Sequence, residues 1–414
     1  MINIPKGTKD VLPQDSYIWQ HIESKIREVS SLFNVKEIRT PVFEHTELFL
    51  RGVGEGTDIV KKEMYTFLDK GDRSITLKPE GTAAVVRSFI ENSLEQAGLP
   101  LKVYYITPCF RYERPQAGRL REHHQFGVEL YGDGSPYMDY EAIGLAYTFL
   151  KSVGVLDAAV QINSIGCASC RPNYNEALKK YLKAKKLCNL CQERANINPL
   201  RVLDCKNEDC KGIVDKAPVT LDCVCDECAS HFEKLQQILK ARGIPFLVNP
   251  KIVRGLDYYN KTVFEFVTNL LGAQGTVCGG GRYDNLVRSL GGKDVPCVGF
   301  AIGLERLIML LKAVGTKIDV PRLDYFIIAQ HENVVDYCVD LVAKLREGGI
   351  CVDMDYSNKS VKSQFKIAER TFAENVIVIG DDEVRLGIFK IKNQNDASIK
   401  EANLNEIIKK KKNK

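Results

Sequence analysis

The sequence predicts an α+β fold: an antiparallel sheet flanked by helices, interrupted by an inserted, mainly helical module and followed by a small α/β domain. Three observations carry this. Short apolar runs bounded by turn residues, the mark of antiparallel strands, recur from about Glu37 to Asn163 and resume after residue 245. Between them, from Gly166 to Gly243, the composition shifts to Cys, Lys and Asn. Beyond Pro321 strand and helix patterns alternate, as in a layered α/β domain. A chain of 414 residues is also too long for one comfortable hydrophobic core. The expected segments are 1–165, 166–245, 246–320 and 321–414, the first and third being halves of one interrupted domain.

The elements follow in order. Ile18, Ile22, Ile26, Val29 and Phe33 fall on one face of an amphipathic helix that begins after Pro13. Another helix is expected from Thr82 to Leu94. Val103-Tyr104-Tyr105-Ile106 and Phe126-Gly127-Val128-Glu129-Leu130 read as strands on either side of a polar loop, Arg114 to Glu122, so they form an antiparallel pair. The insertion is bracketed by helical patterns at Tyr174, Leu178, Leu182 and at Phe232, Leu235, Leu239. Strands return at Lys261 to Val267 and Val295 to Ile302. In the last segment, strands at Tyr325 to Ala329, Ile350 to Met354 and Val376 to Ile379 are separated by helices at Asn333 to Arg346 and Lys359 to Phe372. Lys409 to Lys412 reads as a solvated basic tail, because like charges in a run repel.

Composition narrows the class of protein. Hydrophobic residues at 44% and charged residues at 27% match ordinary soluble domains. A net charge of +5 neither demands nor excludes a nucleic-acid partner. The N-terminal residues show no secretory pattern, and no apolar run is long enough to span a bilayer, so a cytoplasmic protein without a membrane partner is expected. Its 14 cysteines should then be thiols or metal ligands, not disulfides.

Three segments carry chemistry. Arg111 and Glu113 of Phe110-Arg111-Tyr112-Glu113-Arg114-Pro115 should share a strand face, and Arg114, Arg119 and Arg121 follow in the loop. Guanidinium forks bind phosphate oxygens bidentately, so this is a candidate polyphosphate clamp. The returning strand puts Gln125, Gly127 and Glu129 on one face, where the glycine leaves room for a ligand. The second is the pair Arg254-Gly255-Leu256-Asp257-Tyr258-Tyr259 and Gly279-Gly280-Gly281-Arg282-Tyr283-Asp284. The third, Gly299 to Leu307, sets small residues at 299, 301 and 303 on one strand face, with Arg306 at the strand-to-helix corner. No Gly-Lys-Ser or Gly-Lys-Thr phosphate loop exists, so nucleotide binding here is of another kind.

These segments resemble the signatures of class II aminoacyl-tRNA synthetases: a helix leading into Ile38-Arg39-Thr40-Pro41-Val42-Phe43-Glu44, the Phe-Arg-x-Glu strand and loop, and the Gly-x-Gly-Leu-Glu-Arg strand and helix. The Arg254 to Tyr259 and Gly280 to Asp284 segments are similar to two further signatures of the histidyl members of that class. The resemblance runs in order over nearly the whole chain. It implies a six-stranded antiparallel catalytic sheet flanked by helices, an inserted domain, a C-terminal α/β anticodon-binding domain, and a homodimer. It implies as substrates L-histidine, ATP with Mg2+, and histidine tRNA. On the same resemblance, Arg111 and Arg254 are the catalytic arginines at the α-phosphate, Arg306 meets the γ-phosphate and Glu113 the adenine, with Arg119 completing the ATP set. Histidine falls to Glu80, Thr82 and Gln125 around its ammonium, and to Glu129 and Tyr259 at its imidazole, with Gly81, Arg111, Arg254 and Tyr258 beside them. Lys78 stands where arginine is commoner in the family and is left out of the site.

Two other readings remain. A paralogue of such synthetases that regulates histidine biosynthesis shares the catalytic fold but tends to lack the Arg254 type of segment and the C-terminal domain, both of which are present here. A zinc-dependent nucleic-acid-binding module would rest on the cysteines alone. Nine cysteines lie between Cys167 and Cys228. Cys167-x2-Cys170 and Cys188-x2-Cys191 have the spacing of a four-cysteine structural zinc site, and Cys205-x4-Cys210 with Cys225-x2-Cys228 supply a second, leaving Cys223 over. The alternative is that all nine are ordinary buried or surface thiols.

Overall fold

The alternation of polar and apolar residues in Glu122–Tyr131 becomes a ten-residue strand with two unlike faces. The structure is a computed structural model that describes residues 2–54, 56–205, 207–271, 275–357 and 359–412. It divides into two units, Met1–Lys317 and Ile318–Lys414. In chain order the first unit carries β1 (Lys36–Glu37), β2 (Phe43–His45), β3 (Tyr65–Leu68), β4 (Ser74–Leu77), β5 (Leu101–Phe110), β6 (Glu122–Tyr131), β7 (Ala159–Ser164), β8 (Phe246–Val248), β9 (Asn260–Val267), β10 (Thr276–Arg282) and β11 (Cys297–Gly303).

The large sheet runs β1-β5-β6-β11-β10-β9-β7-β8. Its six central strands are antiparallel, and the short edge strands β1 and β8 add in parallel. One face is apolar. Phe126, Val128 and Leu130 of β6 are buried there, with Phe126 edge-on to Phe149 of the helix Pro136–Ser152 at 5.0 Å and to Phe300 of β11 at 5.7 Å. The helix Pro13–Leu32 packs on Pro136–Ser152 through the predicted face, burying Ile18, Ile22, Ile26 and Val29. An antiparallel sheet needs only one covered face, so the other is free to floor a site. Across that open face Tyr105, Gly127, Ala301, Gly279 and Glu265 lie side by side on five neighbouring strands. The smaller sheet β2-β4-β3 stands apart from it.

The insertion leaves the sheet after β7 and returns through the helix Asp226–Ala241 to β8. It is mainly helical as expected, with the helices Arg171–Lys183, Asn189–Ile197 and Glu208–Val214 around a small core of Tyr174, Leu178, Leu182, Leu187, Val202 and Val214. A buried network ties the returning helix to the sheet. Asp139 accepts from His231 at 2.6 Å, from Thr262 at 2.6 Å and from Arg282 Nε at 2.9 Å. Arg282 and Asp139 are fully buried, so each neutralises a charge that would otherwise be costly there.

The second unit contains β12 (Tyr325–Ala329), β13 (Val352–Met354), β14 (Asn375–Ile379), β15 (Ile388–Asn393) and β16 (Ile399–Asn403), in the order β13-β12-β14-β15-β16. The first three are parallel, as the strand-helix alternation predicts, and Phe326 and Ile328 face one core while Ile327 and Ala329 face the other. The antiparallel hairpin β15-β16 is an addition to the predicted pattern. The lysine run is exposed at Lys409 and Lys410, as expected, but it is helical and not a disordered tail. It ends a helix, Leu404–Lys412, and Lys411 pairs with Asp324 at 2.7 Å. Cations are favourable at a helix C-terminus, which explains how a run of like charge stays helical. Among the described residues no helix is long and apolar enough to cross a membrane.

Candidate active site

Above the open face of the large sheet lies a cavity of about 420 Å³. Its floor is β6, β11, β10 and β9, and its rim is the loop after β5, the segment 253–259, and the first turn of the helix Leu304–Val314. Of the residues selected from the sequence, Glu80, Thr82, Arg111, Glu113, Arg119, Gln125, Glu129, Arg254, Tyr258, Tyr259 and Arg306 line this one cavity. Gly81 does not. It is buried against the Tyr105 ring, and a side chain there would meet that ring.

One end of the cavity is acidic and phenolic. Glu129, 1% exposed, accepts hydrogen bonds from Tyr105 Oη at 3.2 Å and from Tyr283 Oη. Burial pushes its carboxyl up to about 8, against the opposing pull of the Tyr283 hydroxyl. Glu80 accepts backbone N–H groups from Thr82 and Ala83, each at 2.8 Å, so it caps the helix Thr82–Glu91 while facing the cavity. Burial raises it too. Gly127 was expected to leave room for a ligand. Instead the Tyr105 ring fills that room, because a Cβ on Gly127 would lie 2.1 Å from its ring.

The other end is cationic. Arg254 pairs with Glu265, which also accepts from Thr276 at 3.0 Å, and a Cβ on Gly279 would strike the Arg254 guanidinium at 2.4 Å. Glycine at the start of the Gly279-Gly280-Gly281 run therefore admits this arginine. Arg254 Nε is buried with no hydrogen-bond partner among the described residues. Arg111 donates to the Pro79 carbonyl at 2.8 Å and has Glu113 at 3.9 Å, and Arg119 has Glu113 at 3.4 Å. Arg306 donates to the Thr276 carbonyl at 2.7 Å. Burial lowers its affinity for a proton, and Arg119 nearby adds repulsion. Half-buried His123 falls to about 3, through desolvation and then the nearby Arg111 charge, and is neutral at physiological pH.

The polyphosphate clamp predicted in the loop is assembled differently. Arg114 is exposed, and Arg121 lies over the Tyr112 ring at 3.8 Å, so neither lines the cavity. Arg254 and Arg306 take their places. Nor do Arg111 and Glu113 share a strand face, because β5 ends at Phe110 and the turn after it brings them together, with Glu113 N–H donating to the Arg111 carbonyl at 2.7 Å. Sequence reasoning missed Glu265, Tyr283 and Tyr105. Glu265 was visible as the one acid in the apolar run Val263-Phe264-Glu265-Phe266-Val267, and Tyr283 stood inside a segment already singled out. Nothing in the sequence marks Tyr105.

The cysteines pair otherwise than their order suggests. Cys167 and Cys170 meet Cys225 and Cys228, while Cys188 and Cys191 meet Cys205 and Cys210. The set Cys167, Cys170, Cys188, Cys191 is therefore not a single site. The helices Arg171–Lys183 and Asp226–Ala241 both start at the neck of the insertion, which brings its first and last cysteine pairs together.

A sheet with six antiparallel strands, and over it a cavity with a carboxylate end and a cluster of arginines, define the catalytic domain of a class II aminoacyl-tRNA synthetase. Residues 7–307 match the family described as Histidyl-tRNA synthetase, and residues 324–414 match one described as Anticodon binding domain. The chain belongs to the histidyl-tRNA synthetase family. It is 52% identical over 97% of both chains to a histidine–tRNA ligase of Thermoanaerobacter sp. (strain X514), and 52% identical over 94% of both to that of Clostridioides difficile (strain 630). The apo histidyl-tRNA synthetase of S. aureus has a similar structure, with a TM-score of 0.84 and 38% identity over 99% of each chain. An ATP phosphoribosyltransferase regulatory subunit/histidyl-tRNA synthetase from Bacillus halodurans, 22% identical with a TM-score of 0.66 over 91% of this chain and 98% of that one, shares the fold.

Proposed function

We propose that this chain is a histidine–tRNA ligase, which activates L-histidine with ATP and transfers it to the 3′ end of histidine tRNA. The observation that supports this most is the polarity of the cavity: buried carboxyls at one end, and at the other four arginines, of which Arg254 has a buried Nε without a partner among the described residues. Histidine sits with its ammonium toward Glu80, Thr82 and Gln125 and its imidazole toward Glu129 and Tyr259. An imidazole offers a donor and an acceptor on opposite edges, and a buried site that pairs both rejects apolar amino acids, which would leave it unsatisfied.

ATP enters as its magnesium complex. A carboxylate oxygen of histidine attacks the α-phosphorus, a new O–P bond forms, and pyrophosphate leaves with the electrons of the broken bond. Arg111 and Arg254 stabilise the charge that builds on the α-phosphate and hold the nucleophile in line. Arg306 and Arg119 meet the outgoing phosphates, and Glu113 the adenine. In the second step a terminal ribose hydroxyl of the tRNA attacks the acyl carbon and AMP leaves.

The C-terminal unit reads the anticodon. A second copy of the chain covers Phe43 and Phe67, which share one face of the smaller sheet and are 56% and 48% exposed. Purified protein should charge histidine tRNA with labelled histidine in the presence of ATP. A folded protein that leaves that tRNA uncharged would support the regulatory paralogue instead.

A further inference from the structure

The insertion holds eight thiols in two quartets that the aminoacylation chemistry does not use. In the neck quartet Cys167 Sγ lies 3.6 Å from Cys170 Sγ and 4.0 Å from Cys225 Sγ. In the tip quartet Cys188 Sγ lies 3.9 Å from Cys205 Sγ. Within each quartet all four sulfurs are within 4.8 Å of one another. A disulfide would bring two sulfurs to about 2.05 Å. Four sulfurs held about 2.3 Å from one tetrahedral ion stand about 3.8 Å apart, which is the spacing seen. Thiols that merely filled a core would pack on carbon and would not converge in fours.

The surroundings favour thiolate. Cys225 N–H donates to Cys170 Sγ at 3.1 Å, Cys188 N–H to Cys210 Sγ at 3.3 Å, and Asn207 N–H to Cys205 Sγ at 3.5 Å. Cys170, Cys188 and Cys225 each precede the first residue of a helix, and Cys191, Cys210 and Cys228 lie in first turns, where the helix dipole favours negative charge. Backbone donors to ligand sulfur are what a tetrathiolate site requires around it.

We infer that the insertion is a nested two-zinc module, with Cys167, Cys170, Cys225 and Cys228 binding one ion at its neck and Cys188, Cys191, Cys205 and Cys210 a second at its tip. Four thiolates in tetrahedral geometry select zinc over harder divalent ions. The insertion has a small apolar core, and small cores of this kind need staples. The neck ion closes the loop where it leaves and rejoins the catalytic sheet. Both ions also act at a distance on the active site. Arg171, next to Cys170, donates to the Tyr259 carbonyl, and Arg201, four residues before Cys205, donates to the Gly255 carbonyl at 2.8 Å. The module thus grips the segment that carries Arg254, Tyr258 and Tyr259.

Elemental analysis of the full-length protein, purified without added metal, tests this directly. Two zinc ions per chain are expected, and mercurial titration of the thiols should release both. The variant Cys170→Ser with Cys225→Ser should retain one zinc, because both changes fall in the neck quartet. If the quartets followed sequence order it would retain none. Should that variant fail to fold, cobalt substitution of the wild type still reads the sites through thiolate charge-transfer bands. Substoichiometric metal with freely titrating thiols, iron in place of zinc, or a metal-free double variant that is otherwise folded would each overturn the assignment.

Discussion

At the scale of single residues, the site works by placing unlike charges where two unlike substrates meet. Arg254 is expected to act on the transition state more than on folding, since Gly279 makes room for its guanidinium and its Nε has no partner among the described residues. Arg254→Ala should therefore lower the rate of histidine-dependent ATP–pyrophosphate exchange by about 10²-fold or more. Unchanged circular dichroism would establish that the fold survives, and near-normal exchange in such a protein would remove Arg254 from the chemistry. Glu129 gives a pH prediction. Its carboxyl is raised from the usual 4.5 to about 8, so between those values the folded state holds a proton that the unfolded state has lost. Stability then falls as pH rises through that window. The thermal midpoint of the ligand-free protein should drop more steeply across it than that of Glu129→Gln, and parallel curves would contradict the burial argument.

At the scale of elements, the antiparallel pair β5-β6 was legible because Gln125, Gly127 and Glu129 alternate with apolar residues, and alternation states both strand and face. The arginine clamp was half legible. Two members come from one loop, but Arg254 and Arg306 reach the same cavity from segments far along the chain, and only the sheet order brings them there. The cysteine pairing was misread for a related reason: spacing favours neighbours in sequence, whereas the helix starting at Asp226 returns the chain to where it left. Tyr105 was invisible because its role depends on the missing side chain of Gly127 across the ladder. The insertion's hold on the active-site segment is testable at this scale. Arg201→Ala frees the Gly255 carbonyl and the Asp257 carboxylate 3.6 Å away, which should cost about 1–3 kcal/mol of local stability. We expect the KM for histidine to rise several-fold with a smaller change in kcat, read by steady-state exchange kinetics. An unchanged KM would mean that the segment holds itself.

At the scale of the whole molecule, the division into Met1–Lys317 and Ile318–Lys414 separates the two tasks proposed for it. Every residue assigned to histidine or ATP precedes residue 318, so removal of the second unit should depress tRNA charging far more than amino-acid activation. Equal loss in both reactions would argue that the catalytic unit depends on the rest of the chain. The net charge of +5 carries little of the tRNA specificity, which makes the second unit's surface, not bulk charge, the expected reader. The central claim is that the cavity over the large sheet selects histidine and activates it with ATP. ATP–pyrophosphate exchange, run on the full-length protein with each standard amino acid in turn, tests it most directly. The account predicts exchange with histidine alone, and exchange with another amino acid, or with none, would contradict it.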